Sequence, residues 1–186
     1  MKLGIIAVYL LAEDDDKLLD LHLDQIRRHT SAPYTIYAGA NRLLPKFIAR
    51  LQERPEVRIC SLDSTDQRNA AENAFYLEQL VKIAINDGAT HLVTMHPDSF
   101  PIRDGWVEEF DHRAGTGLAA LDSGPYTACL FLTRDFYLDH QPHFLLSDAE
   151  YASTMYREFS KHHAHLLHSG IGYIFRAFPM VWRGIL

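Results

Sequence analysis

The feature that most constrains this chain is an alternation. Short, almost wholly apolar runs at residues 3–11, 34–38, 57–62 and 91–95 are separated by longer stretches whose apolar side chains recur every three or four positions. A short apolar run without polar alternation suits a strand buried on both faces, and the longer period suits a helix with one buried face. Residues 14–29 show the second pattern in Leu19, Leu23 and Ile26, with Leu18 and His22 beside them. Residues 67–86 repeat it in Ala70, Ala74, Leu77, Val81 and Ala84, and residues 43–53 form a shorter helix closed by Pro55. The punctuation agrees. Glu13-Asp14-Asp15-Asp16 places acids in a first helical turn, and Ser31-Ala32-Pro33 stops that helix. Asp66 is expected to cap the helix at 67–86, and Asp87-Gly88 to end it. Strand and helix in strict succession predict an α/β/α sandwich, Rossmann-like, on a mostly parallel sheet.

After residue 100 the order changes. Residues 104–111 read as a short helix, and residues 117–121 and 126–133 as strands around the turn Asp122-Ser123-Gly124-Pro125, so antiparallel pairing is added to the sheet. Residues 147–161 read as a helix in which Ser147 and Glu150 have capping-box spacing. With 186 residues, 47% of them hydrophobic, the expectation is one domain. Its formal net charge of -6 argues against a nucleic-acid-binding surface. Cys60 and Cys129 fit no zinc or redox spacing and read as buried thiols. The apolar start runs into acids without a cleavage signature, so it reads as a strand rather than a secretion signal, and no run is long enough to span a bilayer. The expected location is the cytoplasm. Residues 175–186 mix Phe178, Val181, Trp182 and Ile185 with Arg176 and Arg183; they read either as a final strand and tail or as a contact with the inner face of a membrane.

In open α/β sheets ligands bind beyond the carboxyl ends of the strands. Here those ends carry Tyr9 and Glu13, then Gly39-Ala40-Asn41, then Asp63 and Asp66, then His96 and Asp98. The stretch His91-Leu92-Val93-Thr94-Met95-His96-Pro97-Asp98-Ser99-Phe100-Pro101-Ile102, with Trp106 after it, resembles the segment of GT-A glycosyltransferases, family-two-like members above all, in which an apolar strand ends in the DxD motif. Arg68-Asn69-Ala70-Ala71-Glu72-Asn73 resembles that family's Asn-containing helix start near the donor. The resemblance covers roughly residues 3–133, and none of its motifs is highly specific.

It implies a GT-A-like catalytic domain, with the nucleotide-sugar part near residues 1–105 and the acceptor part near 106–186. The activity implied is transfer of a sugar from a nucleotide-sugar donor to a saccharide or lipid-linked acceptor, by an inverting route. Tyr9, Glu13, Asn41, Asp63, Asn73, His96 and Asp98 are then the candidate donor contacts. Asp98 matches the last acid of the motif and faces a divalent cation, Mg²⁺ or Mn²⁺, or the diphosphate. His96 stands where the first acid would be, and an imidazole is a poor Mg²⁺ ligand but a fair Mn²⁺ one. The family takes its base from the later part of the domain, which points to Asp148 or Glu150, and often adds a later histidine to the metal, here His168. Trp106 and Asp122 are the candidate acceptor contacts. Read without the resemblance, His96-Pro97-Asp98 and Asp63 suit turns, Asn73 a solvated helix position, Asp148 and Glu150 a helix's first turn, and His162, His163, His165 and His168 a polar surface. Two other functions fit: a nucleotide-sugar-binding or interaction module without catalysis, and a metal-dependent hydrolase.

Overall fold

In a computed structural model of the chain, the described residues are 1–114, 118–120, 128–141 and 144. The strands are β1 (Leu3–Val8), β2 (Tyr34–Gly39), β3 (Val57–Cys60), β4 (His91–Met95), β5 (Leu118–Ala120) and β6 (Cys129–Thr133). The helices are α1 (Asp16–His29), α2 (Pro45–Gln52), α3 (Ala70–Asn86), α4 (Trp106–Ala114) and α5 (Arg134–His140). The strands form one sheet in the order β3-β2-β1-β4-β6-β5. The pairings from β3 to β4 are parallel, and β6 runs antiparallel to both β4 and β5. The fold is therefore α/β with a mostly parallel sheet flanked by helices, compatible with a Rossmann-like arrangement, and it carries the antiparallel addition that the sequence predicts.

Helices cover both faces of the sheet. On one side α1 meets α2 through ion pairs of Asp16, Asp20 and Asp24 with Lys46, Arg50 and Arg54. It meets α4 through a hydrogen bond from Trp106 Nε1 to Thr30 Oγ1 of 3.2 Å. On the other side α3 lies on β1 and β2, close enough that a Cβ at Gly4 would stand 3.4 Å from Ala84, and one at Gly39 would stand 3.3 Å from Leu80. The β1 side chains Ile5, Ile6 and Ala7 are fully buried, as a strand sandwiched between two helical layers requires. On the α1 side, Leu19, His22, Leu23 and Ile26 form the buried stripe; the periodicity is right, with one histidine among the hydrophobes. Cys60 and Cys129 are free and buried.

The end of α3 shows how sequence sets geometry. Gly88 takes φ +83°, and the amides of Gly88 and Ala89 donate to the carbonyls of Ile85 and Ala84 at 3.0 Å each. That is a Schellman closure, which satisfies the last carbonyls and turns the chain into β4.

Several boundaries differ from expectation. β1 stops at Val8 and β3 at Cys60, because β2 ends at Gly39, which pairs with both, so the ladder has no further partner. Asp66 does not cap α3. Thr65 Oγ1 instead takes the amide of Gln67, and Arg68 donates to the carbonyls of Thr65 and Gln67, so the loop closes on itself and the helix starts at Ala70. α4 begins at Trp106, since Gly105 at φ +79° breaks any helix running through it. α5 was not expected; Thr133 caps it by accepting the amide of Phe136 at 3.2 Å. The turn at 122–125, the helix at 147–161 and residues 175–186 lie outside the described residues. No helix among the described residues is long and apolar enough to cross a membrane.

Candidate functional site

The register brings the ends of four parallel strands to one level. Val8 pairs with Gly39 and Gly39 with Cys60, while Ile6 pairs with Thr94, so two residues further on Val8 stands level with His96. The loops that leave the sheet after these positions start from a common edge. Hydrogen bonds join them in pairs. Asn41 Nδ2 donates to the Leu62 carbonyl at 3.1 Å, linking the loops after β2 and β3. Lys46 Nζ donates to the Glu13 carbonyl, linking the loop after β1 to the start of α2. The Asp63 amide donates to Gln79 Oε1 at 2.9 Å, fixing the start of the β3–α3 loop on α3.

Along this edge Glu13, Asn41 and Asp63 are exposed, and His96, Asp98 and Asn73 are half-buried. The turn that carries His96 and Asp98 is closed by the Ser99 amide, which donates to the His96 carbonyl at 2.9 Å, and the His96 amide extends the β4–β6 pairing to Ala128. Burial holds the His96 imidazole below its ordinary pKa, and the charge of Asp98 opposes that shift. The ring is therefore neutral at neutral pH, in the state that offers a lone pair to a cation or a hydrogen bond to a ligand. One imidazole and one carboxylate suit a cation that takes its remaining ligands from phosphate oxygens and water. Among the described residues no group of three or more His, Cys, Asp or Glu is placed to hold a metal ion.

Two expected contacts lie elsewhere. Tyr9 is completely buried beneath the edge, with its ring set edge-on to His22 at 5.6 Å between centroids, so it faces the core and not a ligand. Trp106 is buried too, and its bond to Thr30 puts it at the amino end of the sheet, because α1 starts at the carboxyl edge and returns the chain to the start of β2. It therefore supports α4 against α1 and is not at the edge with His96. Asp122, Asp148, Glu150 and His168 fall outside the described residues.

The structure adds three groups that sequence reading missed. The Glu72 carboxylate, on the first turn of α3, is 1% exposed, and Arg42 Nη1 contacts its two oxygens at 3.0 and 2.7 Å. This pair clamps the loop after β2 onto α3; an exposed Arg beside Asn41 and a Glu 30 residues later gave no local signal. Gln79 is the anchor of Asp63 described above. His22 was visible only as a polar member of an apolar helical face. It is fully buried, and neither its ring nitrogens nor the Tyr9 hydroxyl has a hydrogen-bond partner of good geometry among the described residues. The backbones of Pro97 and Ser99 lie near enough to oppose part of the burial effect, yet burial dominates and pushes the His22 pKa down to about 4.

Two open clefts lie away from this edge. One of about 550 Å³ lies along α1 at Leu21, Asp24, Gln25, Arg27 and Arg28, and one of about 420 Å³ lies between α3 and α5 at Glu78, Lys82 and Tyr137. Neither of these two collects the residues of the strand ends. No protein-family model matches the chain, and no curated protein matches it.

Proposed function

We propose that this chain is a nucleotide-sugar-dependent glycosyltransferase of the GT-A type, transferring a sugar by inversion to a saccharide or lipid-linked acceptor. The observation that carries the reading is the common level of the four parallel strand ends, with His96 and Asp98 directly after central β4. A diphosphate leaving group gains negative charge as the glycosidic bond breaks, and the reacting carbon gains oxocarbenium character. Asp98 and the neutral imidazole of His96 are the groups assigned to hold a divalent cation beside that diphosphate. Such a cation, when bound, neutralises the growing charge. Asn41 and Asp63, on loops joined to each other and to α3, are assigned to the nucleoside, and Asn73 to the donor side of the α3 start. Asp148 or Glu150 is assigned as the base that takes the acceptor hydroxyl's proton. The GT-A assignment rests on the sequence resemblance together with the antiparallel strand inserted beside β4.

One observation favours a second reading. A histidine at the first acidic position of the motif suits a module that binds nucleotide sugars without transferring them.

The test is a thermal-stability screen with UDP-, GDP- and dTDP-sugars, with and without Mn²⁺. At least one donor is expected to raise Tm by a few degrees, which corresponds to roughly 1–3 kcal/mol of linkage at saturating ligand. Asp98→Ala should abolish the rise. Slow hydrolysis of that donor, lost in Asp98→Ala, selects the enzyme over the module. No response to any donor sinks both readings, and nucleotide binding that survives Asp98→Ala sinks the site.

A further inference from the structure

A buried charge with one partner invites the question of what the pair is for. The Glu72 carboxylate is 1% exposed, and among the described residues its partner is Arg42, whose Nη1 donates to the two oxygens at 3.0 and 2.7 Å. A buried ion pair is often no more stabilising than two hydrophobes of the same size, so its use lies in what it positions. Here the positioned group is the guanidinium. Arg42 stands three residues past the end of β2, on the loop that Asn41 ties to the Leu62 carbonyl, and Glu72 holds it against the first turn of α3. Its side chain stays 51% exposed. Nε and Nη2 donate to no described residue, and together they form the flat edge whose two parallel N–H bonds match two oxygens of one phosphate.

The strand-end edge needs such a group. Glu13, Asp63, Asp66 and Asp98 all lie along it, so a diphosphate arriving there meets like charge. Lys46 is taken up by the Glu13 carbonyl and Asp16, and Arg68 by the carbonyls of its own loop at Thr65 and Gln67. The ends of β2 and β4 lie two strands apart, roughly 10 Å, a span that a nucleoside with its diphosphate covers.

We propose that Arg42 is a phosphate-binding residue of the carboxyl edge: buried Glu72 fixes the guanidinium through Nη1, and the Nε–Nη2 edge takes two oxygens of a nucleoside diphosphate. That the phosphate belongs to a nucleotide rests on the glycosyltransferase reading; that the fork takes a phosphate does not. The nucleoside then lies toward Asn41 and Asp63, and the far end of the diphosphate toward His96 and Asp98. Lysine at this position keeps a charge for Glu72 but has no fork.

The experiment titrates the full chain and Arg42→Lys by ¹H–¹⁵N NMR with UDP, GDP and dTDP and with the matching nucleosides, in the presence of Mg²⁺. In the native chain the Arg42 Nε–Hε signal should shift saturably with a nucleotide, with the same Kd as the backbone amides of the edge. Arg42→Lys should raise the Kd of that nucleotide about tenfold and leave that of its nucleoside within about twofold, since only the diphosphate meets the fork. An equal loss for nucleotide and nucleoside marks a structural role and overturns the proposal. So does a nucleotide Kd that Arg42→Lys leaves unchanged, or an Arg42 Nε–Hε signal that stays still while the nucleotide binds. Where Arg42→Lys does not fold, or the nucleoside binds too weakly to measure, the native Nε–Hε signal decides. A native chain that binds none of the three nucleotides defeats the glycosyltransferase reading. Inorganic pyrophosphate alone then decides the fork: a saturable shift of the Arg42 signal upholds it as a phosphate site, and no shift overturns it.

Discussion

Removing Arg42 is the perturbation whose magnitude the structure sets most closely. The Glu72 carboxylate is 1% exposed, and both of its oxygens meet Arg42 Nη1, while the Arg42 side chain itself is 51% exposed. Breaking a fully buried ion pair by deleting one partner costs about 3–5 kcal/mol, because the remaining charge has neither water nor a counter-ion. Here the lost partner is half in solvent, and water can enter the space it leaves. The expected cost of Arg42→Ala is therefore lower, about 2 kcal/mol. With a urea m-value of about 2 kcal/mol/M, the midpoint falls by about 1 M. Glu72→Gln keeps an acceptor for the guanidinium and should cost about 1 kcal/mol. In Arg42→Ala combined with Glu72→Gln, no charge is left stranded, so the double variant should be less destabilised than the sum of the singles by about 1–2 kcal/mol. Urea unfolding of the four proteins measures all three quantities. If Arg42→Ala stays within about 0.5 kcal/mol of the native chain, or the two changes simply add, Glu72 is not a buried charge dependent on Arg42. The clamp between the β2 loop and α3 is then not an energetic one.

Two further outcomes are expected of the fold. His22 binds a proton in the unfolded chain near its ordinary pKa of about 6.5, and in the native core only at about 4. Between those values the unfolded state holds more protons, so stability falls as pH drops through that window, by up to about 3 kcal/mol in all, and His22→Leu should flatten that part of the urea-midpoint profile. An unchanged profile in the variant would place the acid sensitivity elsewhere. Asn69 precedes α3 at φ 60° and ψ -131°, a backbone conformation that favours glycine. Asn69→Gly should therefore stabilise the chain by about 1 kcal/mol in thermal unfolding, and a loss of stability would show that the Asn69 side chain compensates its own strain.

The sheet was legible because its strands are buried on both faces. Residues 91–95 were read as a strand with the limits that β4 has, and the α1 stripe of Leu19, Leu23 and Ile26 faces the core as its spacing requires. Strand and helix ends were less legible, because neighbours set them. Gly39 ends the ladder for β1 and β3 alike, and the start of α3 depends on how Thr65, Gln67 and Arg68 satisfy one another. α5 is 7 residues long and follows β6 without a turn, too short for a period to register. The carboxyl edge could be inferred from sheet physics alone. Trp106 could not be placed, since nearness to His96 in sequence says nothing of a chain that returns to the opposite edge. The Arg42–Glu72 clamp and the edge-on packing of His22 against Tyr9 are long-range pairings, which a local pattern does not encode.

The central claim is that a nucleotide diphosphate binds at the carboxyl ends of β1 to β4. A ¹H–¹⁵N NMR titration with UDP, GDP or dTDP in the presence of Mg²⁺, which keeps the signals sharp, tests it most directly. Saturable shifts confined to residues 9–14, 40–42, 61–73 and 96–99 are expected. Shifts that gather instead around Thr30 and Trp106 at the opposite edge, or no saturable shift with any of the three nucleotides, would contradict it.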